Sequence, residues 1–332
     1  MQSMNDVHAK IMAHYRKLQN DNEMNEKAAR DMMYMRLPRV EEIDTEISTL
    51  AINHAKRVLE EKISPEEAAR QIKLEAAALR EEKNKLLISE GITEYAPAFE
   101  CDKCKDTGYL TDGKKCGCYM RKMQEALLLP GEKGENAICK KSSFDKFNLS
   151  YYPDDVVPAI GVSARELMRV VYANCFKFAT EFDPETSGNL LLCGPSGLGK
   201  TFLAASIANE VTDRGYFVIY KTSYKLFQFL EDFKFGKIDR EAYSVIYDSI
   251  YDCDLLVIDD FGTEFITSYT QSVFFDLLST RLNCDKSTII STNLTLAKIK
   301  EIYQDRVSSR LQNEFSVLRF AGDDIRVVKN RK

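Results

Sequence analysis

Eight consecutive residues constrain this chain more than any others: Gly194-Pro195-Ser196-Gly197-Leu198-Gly199-Lys200-Thr201. Before them, Asn189 to Cys193 (Asn-Leu-Leu-Leu-Cys) reads as a buried strand; after them, Phe202 to Val211 reads as a helix. A strand, a glycine-rich turn and a helix in that order belong to an α/β layout. The run fits G-x-x-x-x-G-K-[ST], the Walker A loop, at every fixed position. Glycines there let backbone N–H groups turn inward around a phosphate, and the helix N-terminus adds partial positive charge. Lys200 is the candidate for the β- and γ-phosphates, and the Thr201 hydroxyl for Mg²⁺. A glycine-rich turn with no ligand is the bland alternative; the agreement of pattern and context favours a nucleotide such as ATP.

About sixty residues further on, Leu255-Leu256-Val257-Ile258-Asp259-Asp260 is an apolar strand ending in two carboxylates. Asp259 is placed to hold Mg²⁺ and Asp260 to orient or deprotonate an attacking water, with Glu264 as a weaker candidate for that second role. Two solvated acids at a strand end are the alternative. Asp260-Phe261-Gly262 also matches the kinase DFG triplet, but the chain has no H-R-D-x-x-x-x-N, and kinases do not use a Walker A loop. The next strand, Ser287 to Asn293, ends in an amide that could reach a γ-phosphate or the lytic water. Arg306 and Arg310 lie four apart, one above the other on a helix, and Arg326 follows the last strand. A planar, always-charged guanidinium suits phosphoryl-transfer charge, although each arginine could equally form a surface ion pair.

Nine cysteines and a formal net charge of −5 bound the rest. The charge leaves no global basic footprint for nucleic acid, so any DNA contact must be local. The start, Met1 to Asp6, has no basic-then-apolar leader, and no apolar run approaches the ~20 residues that cross a bilayer. The expected location is therefore cytoplasmic, with reduced or metal-bound cysteines. Four of them, Cys101-x-x-Cys104 and Cys116-x-Cys118, fall within eighteen residues. Four thiolates suit a closed structural zinc site, with no open position for catalysis. An iron–sulfur cluster and a metal-free module remain as alternatives, and Cys139 could replace one ligand. Asp106-Thr107-Gly108 and Asp112-Gly113 are expected to form the connection between the two pairs. Cys175, Cys193, Cys253 and Cys284 read as small buried hydrophobes.

At 332 residues there is room for about two domains. Residues 1 to about 92 show helical spacing (Ile43, Ile47, Leu50, His54 and Val58, then Ile72, Leu79 and Leu86) and are expected to form three helices. Pro38 separates the first two, Ser64-Pro65-Glu66-Glu67 is a capping box, and Gly91 is a stop. Pro130 to Gly134 reads as a loop or linker. From about 144, candidate strands at 189–193, 216–221, 254–259, 287–292 and 315–320 alternate with helices, the pattern of a parallel sheet covered on both faces. The expected domains are a helical partner-binding region (1–95), a zinc module with linker (96–140) and an ATPase domain (141–332). In Lys225 to Lys237, Phe227, Phe229, Phe233 and Phe235 interleave with Lys225, Lys234 and Lys237, so bases could stack there, although Phe227 and Leu230 sit at core spacing and Glu231 and Asp232 weaken the patch. Met32-Met33-Tyr34-Met35 could adapt to a partner or pack among the helices.

Taken in order, Walker A at 194–201, Leu-Val-Ile-Asp-Asp-Phe-Gly at 256–262, Ser-Thr-Asn at 291–293 and Ser-Ser-Arg-Leu at 308–311 resemble the bacterial replicative helicase loaders. These are the DnaC/DnaI-type branch of AAA+ ATPases, related to IstB-like ATP-binding proteins. The resemblance covers about 144 to 332. Cys-Asp-Lys-Cys-Lys-Asp-Thr-Gly-Tyr with the following Cys-Gly-Cys is similar to the zinc module ahead of the ATPase in the Gram-positive type of loader; the first 92 residues match only in position and helical character. The resemblance implies a P-loop AAA+ parallel sheet and hydrolysis of ATP to ADP and phosphate. Under it Asn293 becomes sensor 1, Arg326 the sensor 2 arginine, and Arg310, with Arg306 as second choice, the arginine finger for a neighbouring subunit's ATP. It also implies self-association through the ATPase domain, single-stranded DNA binding, and a replicative hexameric helicase contacted by the helical N-terminus. Asp260 stands where most AAA+ proteins have Glu, which suits slow hydrolysis. A transposition-helper ATPase of the insertion-sequence type shares the same core, and a nonhydrolysing nucleotide-dependent adaptor is the alternative from another class.

Overall fold

In the computed structural model, which describes residues 3–60, 63–93, 95–128, 141–156 and 161–330, a five-stranded parallel sheet carries the chain's chemistry. The strands are β1 (Asn189–Cys193), β2 (Val218–Thr222), β3 (Leu255–Phe261), β4 (Ser287–Thr292) and β5 (Phe315–Arg319), in the spatial order β2-β3-β4-β1-β5. All four pairings are parallel. β1 is flanked by β4 and β5, although β2 follows it in sequence. Parallel sheets need crossover helices, which cover both faces and make the strands near-continuous apolar runs. Accordingly β4 is buried at every position, and β1 and β3 are buried at all but one. This is the P-loop AAA+ type of sheet that the sequence calls for, and the expected strands agree with the observed ones to within about two residues.

Alternation along the strands assigns the two faces. Leu190, Leu192, Val257 and Ile289 join one buried cluster with residues of α5 (Ala164–Thr180) and α6 (Lys200–Asp213), among them Met168, Val171, Leu203 and Ile207. Residues one step along these strands point the other way. There, α7 (Ser223–Lys234), α8 (Arg240–Asp252), α9 (Ser268–Asn283) and α10 (Leu296–Glu314) supply the cover, with Phe261, Phe274 and Tyr303 packing ring against ring at 4.5–5.5 Å. A short α11 (Ile325–Asn330) ends the described chain. α4 (Gly117–Ala126) lies against α6 and the edge strand β2; its Gln124 amide donates to Val218 O and to Thr212 Oγ1, both at 2.9 Å.

The chain divides into two units, His14–Thr107 and the remainder. In the first, the long α1 (Met4–Arg36, entering the unit at His14), α2 (Pro38–Leu59) and α3 (Pro65–Ser89) are the three expected helices. Pro38 begins α2, Ser64 Oγ accepts from Glu67 N at 3.1 Å as N-cap of α3, and Gly91 takes a φ of +63° past its end. α2 and α3 pack on each other through Val40, Ile43, His54, Ala68 and Leu87, a thin apolar seam. Ion pairs join Arg39 to Glu82 and Lys83 to Asp44, and His54 Nε2 lies 3.1 Å from Glu75 Oε2. Met32 and Met35 are exposed, and Met32, Met33 and Tyr34 border a groove of about 640 Å³. The expected linker at 130–134 and Cys139 lie outside the described residues.

Candidate nucleotide site and cysteine cluster

Sheet order explains how residues a hundred positions apart converge. The carboxyl ends of β3, β4 and β1 lie side by side, the place where open α/β sheets bind ligands. The loop Gly194 to Gly199 leaves β1 and feeds α6, whose first residue is Lys200. Gly194, Gly197 and Gly199 adopt φ values of +150°, +79° and +87°. A Cβ at Gly194 would lie 2.5 Å from Phe320 O, and one at Gly197 would collide with the Asp324 carboxylate, so glycine is required on two counts. The loop is anchored from outside: Tyr152 donates to Leu198 O at 2.8 Å, and Ile325 N to Gly197 O at 3.0 Å.

A cavity of about 470 Å³ opens over this loop. Ser196, Gly197, Gly199, Lys200, Thr201, Asp260, Asn293 and Arg326 line it, and Phe147, Tyr151 and Phe202 form an aromatic side. Lys200 Nζ donates to Gly194 O and Pro195 O, each at 2.7 Å, and to Asn293 Oδ1 at 2.6 Å. Burial lowers its pKa, while Asp260 and Asp259 act in the opposite sense. Thr201 Oγ1 meets Asp259 Oδ1 at 3.1 Å. Asp259 is buried, and Tyr220 donates to its Oδ2 at 2.7 Å. A hydroxyl and a carboxylate converging beside a phosphate loop are the donors Mg²⁺ takes, so the residues fit that ion. Asp260 has a φ of +53°, and its carboxyl is raised by burial and then by the charge of Asp259, with Lys200 and Arg326 pulling it back.

Other expected site residues fall elsewhere. Glu264 is buried outside the cavity lining, accepting from Gly262 N at 2.8 Å and from the Ser223 and Tyr303 hydroxyls. It therefore braces the loop after β3, which leaves Asp260 as the acid facing the cavity. Arg310 lies on α10 away from this cavity, its guanidinium 4.2 Å from the Phe275 ring centroid, and Arg306 is exposed. The aromatic segment 225–237 is not the stacking platform the spacing allowed. Phe227 and Phe229 are buried, and Phe233 stacks on Tyr247 at 4.3 Å. Lys237 pairs with Glu231 and Asp232, leaving Phe235 as the exposed ring. Two residues apart, Phe227 and Phe229 leave the helix on opposite sides and are buried against different neighbours, Phe227 on Phe274 and Phe229 on Phe233 and Tyr243. Of the four lone cysteines, Cys175 and Cys253 are buried as expected, whereas Cys193 is half-buried and Cys284 exposed, since each stands at an element end.

Sequence reasoning missed Tyr220 and assigned no role to Ser291. Tyr220 lies in no motif, and Ser291 opens the Ser-Thr-Asn run whose amide alone drew a role; register carries the signal for both, since β2 pairs with β3 and places Thr222 beside Asp259, and β4 pairs with β3 on its other side.

In the cysteine module, Lys105 and Asp106 take left-handed φ values of +51° and +57°, and Lys105 N donates to Cys101 O at 2.9 Å. The buried Asp106 carboxylate accepts from Glu100 N and Cys101 N at 3.0 and 2.9 Å. A tight hairpin then joins Tyr109 to Lys115, turning at Asp112-Gly113. Cys116 caps α4 and Cys118 lies in its first turn. The four ligand sulfurs all lie within 4.8 Å of one another. A tetrahedron with Zn–S bonds of ~2.3 Å has sulfurs ~3.8 Å apart, so the donor set fits zinc with small adjustments.

These elements form a P-loop AAA+ type of fold. Residues 179–332 match the family model of the IstB-like ATP binding protein. A Sinorhizobium fredii insertion-sequence ATP-binding protein is 28% identical over 153 residues, 43% of this chain and 59% of the relative. The replicative helicase loader DnaC of Escherichia coli K12 is 26% identical over 143 residues, 42% of this chain and 57% of the relative. The chain thus spans less than two thirds of the length of these curated relatives. The crystal structure of the DnaC helicase loader is similar at a TM-score of 0.46 and 20% identity, over 55% of this chain and 98% of that one. Among the described residues no helix is long and apolar enough to cross a membrane.

Proposed function

We propose that this protein is an ATP-dependent loader of the replicative DNA helicase. ATP would hold an assembly competent for single-stranded DNA, and hydrolysis would release it. The observation that carries the reading is the meeting of Lys200, Asp260, Asn293 and Arg326 in one cavity while Arg310 stands outside it. In this reading the loop N–H groups and Lys200 take the phosphates, Thr201 and Asp259 hold Mg²⁺, and Asp260 orients the water. Asn293 senses the γ-phosphate, and Arg310 reaches a neighbouring subunit's nucleotide. Such a device works by population shift: ATP favours the assembly it binds better. The N-terminal helices would contact the helicase, and the zinc module would join them to the ATPase domain, with 1–95, 96–140 and 141–332 as the working divisions.

Two further features support this choice. One relative is itself named a replicative helicase loader. The cysteine module and helical region ahead of the sheet would serve as a partner-binding half. A second reading, a transposition helper, is favoured by the insertion-sequence relative and by the family match. Co-purification of the full chain with the host replicative helicase, with and without ATP, tests the choice. Retention of the helicase supports the loader; retention of a transposase and no helicase overturns it.

A further inference from the structure

The register of the sheet contains one irregularity, and it lies at the catalytic acids. β3 and β4 pair in step from Leu255↔Ser287 to Ile258↔Ile290, then resume at Phe261↔Thr292. Asp259 and Asp260 on β3 therefore oppose one residue, Ser291. This is a β-bulge, the device that re-aims a side chain beside a site. Asp260 accommodates the extra residue with a φ of +53°, in the left-handed region that is costly for residues other than glycine. Something must hold it there.

Ser291 is fully buried and uses its hydroxyl in both directions. Its Oγ–H donates to Asp259 Oδ1, and its lone pair accepts from Asp260 N at 2.9 Å. The Asp260 N–H is thereby paired while its backbone turns out of the ladder. The bulge is closed on its far side: Thr292 Oγ1 donates to Phe261 O at 2.7 Å, and Thr292 O accepts from Gly194 N at 3.3 Å. Two residues beyond Ser291, Asn293 holds Lys200.

We propose that Ser291 is a positioning residue for ATP hydrolysis, its hydroxyl clamping the bulge so that Asp259 stays on the metal side and Asp260 faces the cavity. Tyr220 holds the other Asp259 oxygen, so the metal-side acid is fixed from both strands that flank β3. The inference rests on the hydrolytic reading of this site. It adds that the sensor strand β4 carries two functions: Asn293 touches the lysine, and Ser291 sets the acids.

The test uses the full chain with Mg²⁺, ATP and single-stranded DNA, comparing the parent with Ser291→Ala, Ser291→Thr and Asp260→Asn. Alanine removes one donor and one acceptor, so kcat should fall about tenfold to a hundredfold, the loss expected when buried groups lose their partner. KM and the affinity for a nonhydrolysable ATP analogue should stay within about twofold, as for loss of an interaction made only in the transition state. Threonine restores the hydroxyl and should recover most of kcat. Ser291→Ala hydrolysing at the parental rate, beside a dead Asp260→Asn, overturns this inference and leaves the hydrolytic reading standing. Equal losses of thermal stability and analogue binding in the alanine and threonine variants, with kcat unchanged, reduce Ser291 to packing and overturn it too. A parent that releases no phosphate overturns the hydrolytic reading and this one with it.

Discussion

Gly117→Ala is a small change with a calculable consequence. Gly117 is the first residue of α4 and stands between Cys116 and Cys118. A methyl there would lie 2.7 Å from Asp213 Cα and 3.0 Å from Asp213 O, at the C-terminal end of α6. Carbon atoms rest at about 3.5–4.0 Å, so α4 must retreat by about 1 Å from backbone that cannot fold aside. The far end resists, because Arg121 pairs with Asp213 and Gln124 bonds to Thr212 and Val218. Overpacking of this kind costs about 1–3 kcal/mol. At about 2–4 °C per kcal/mol for an ATPase-sized domain, the midpoint should fall by roughly 2–12 °C. The displacement also strains the two thiolates flanking the substitution, so zinc should pass to a chromophoric chelator faster than from the parent. Circular dichroism melting and chelator kinetics on the full chain read both effects. Gly113→Asn is the control: that position has open space around it, and Asn tolerates its φ of +83°. Unchanged melting and unchanged release in Gly117→Ala would refute the seating of α4 on α6. Freshly purified parent without zinc would refute the metal assignment.

Lys200→Ala should abolish ATP binding, whereas Asp260→Asn should keep binding and lose hydrolysis; fluorescent-nucleotide titration and phosphate release separate the two, and parental rates in both would end the catalytic assignment. Arg310→Ala should bind ATP and fail to hydrolyse it, and mixing it with Lys200→Ala should restore part of the activity, since each lacks what the other supplies; no recovery on mixing would argue against action on a neighbour's nucleotide. Arg281 is fully buried and donates to Ile250 O and Tyr251 O at the end of α8, to Ser287 O and to Thr288 Oγ1. Arg281→Met strands those acceptors and should cost about 2–4 kcal/mol after relief of the guanidinium's own desolvation, read by urea unfolding; a loss under about 1 kcal/mol would count against it.

The parts that the sequence made legible are those fixed over short stretches. The Walker loop works through backbone N–H groups of neighbouring residues, so Gly194 to Thr201 announces itself. The strands are apolar runs because both faces of a parallel sheet are covered, and Ser64 with Glu67 signals a helix start within one turn. What escaped depends on pairing across the sheet. Glu264 is as close in sequence to Asp259 as a second catalytic acid would be, yet Ser223 and Tyr303 draw it to the wrong side of the loop. The phenylalanines of α7 alternate with lysines as a nucleic-acid surface would, but neighbours on two sides of the helix cover two of them, Phe274 over Phe227 and Tyr243 over Phe229.

The same logic shows why the site is built across strands rather than within one segment. Lys200 spends its three N–H donors on Gly194 O, Pro195 O and Asn293 Oδ1. A phosphate that recruits this lysine must exchange at least one of those bonds. Charge-assisted bonds are worth about 1.5–3 kcal/mol each, so exchanging one for another is close to neutral at the lysine. The gain on binding must then come from the lysine's charge opposite the phosphates, the loop N–H groups and the helix N-terminus, while the exchange itself carries information. If the bond given up is the one to Asn293, the end of β4 is released from the lysine as the phosphate arrives, and Ser291 sits two residues earlier on that strand, bonded to both acids. On the proposed reading, nucleotide occupancy and the setting of Asp259 and Asp260 thus meet on a single strand, as timing hydrolysis to an assembly would require.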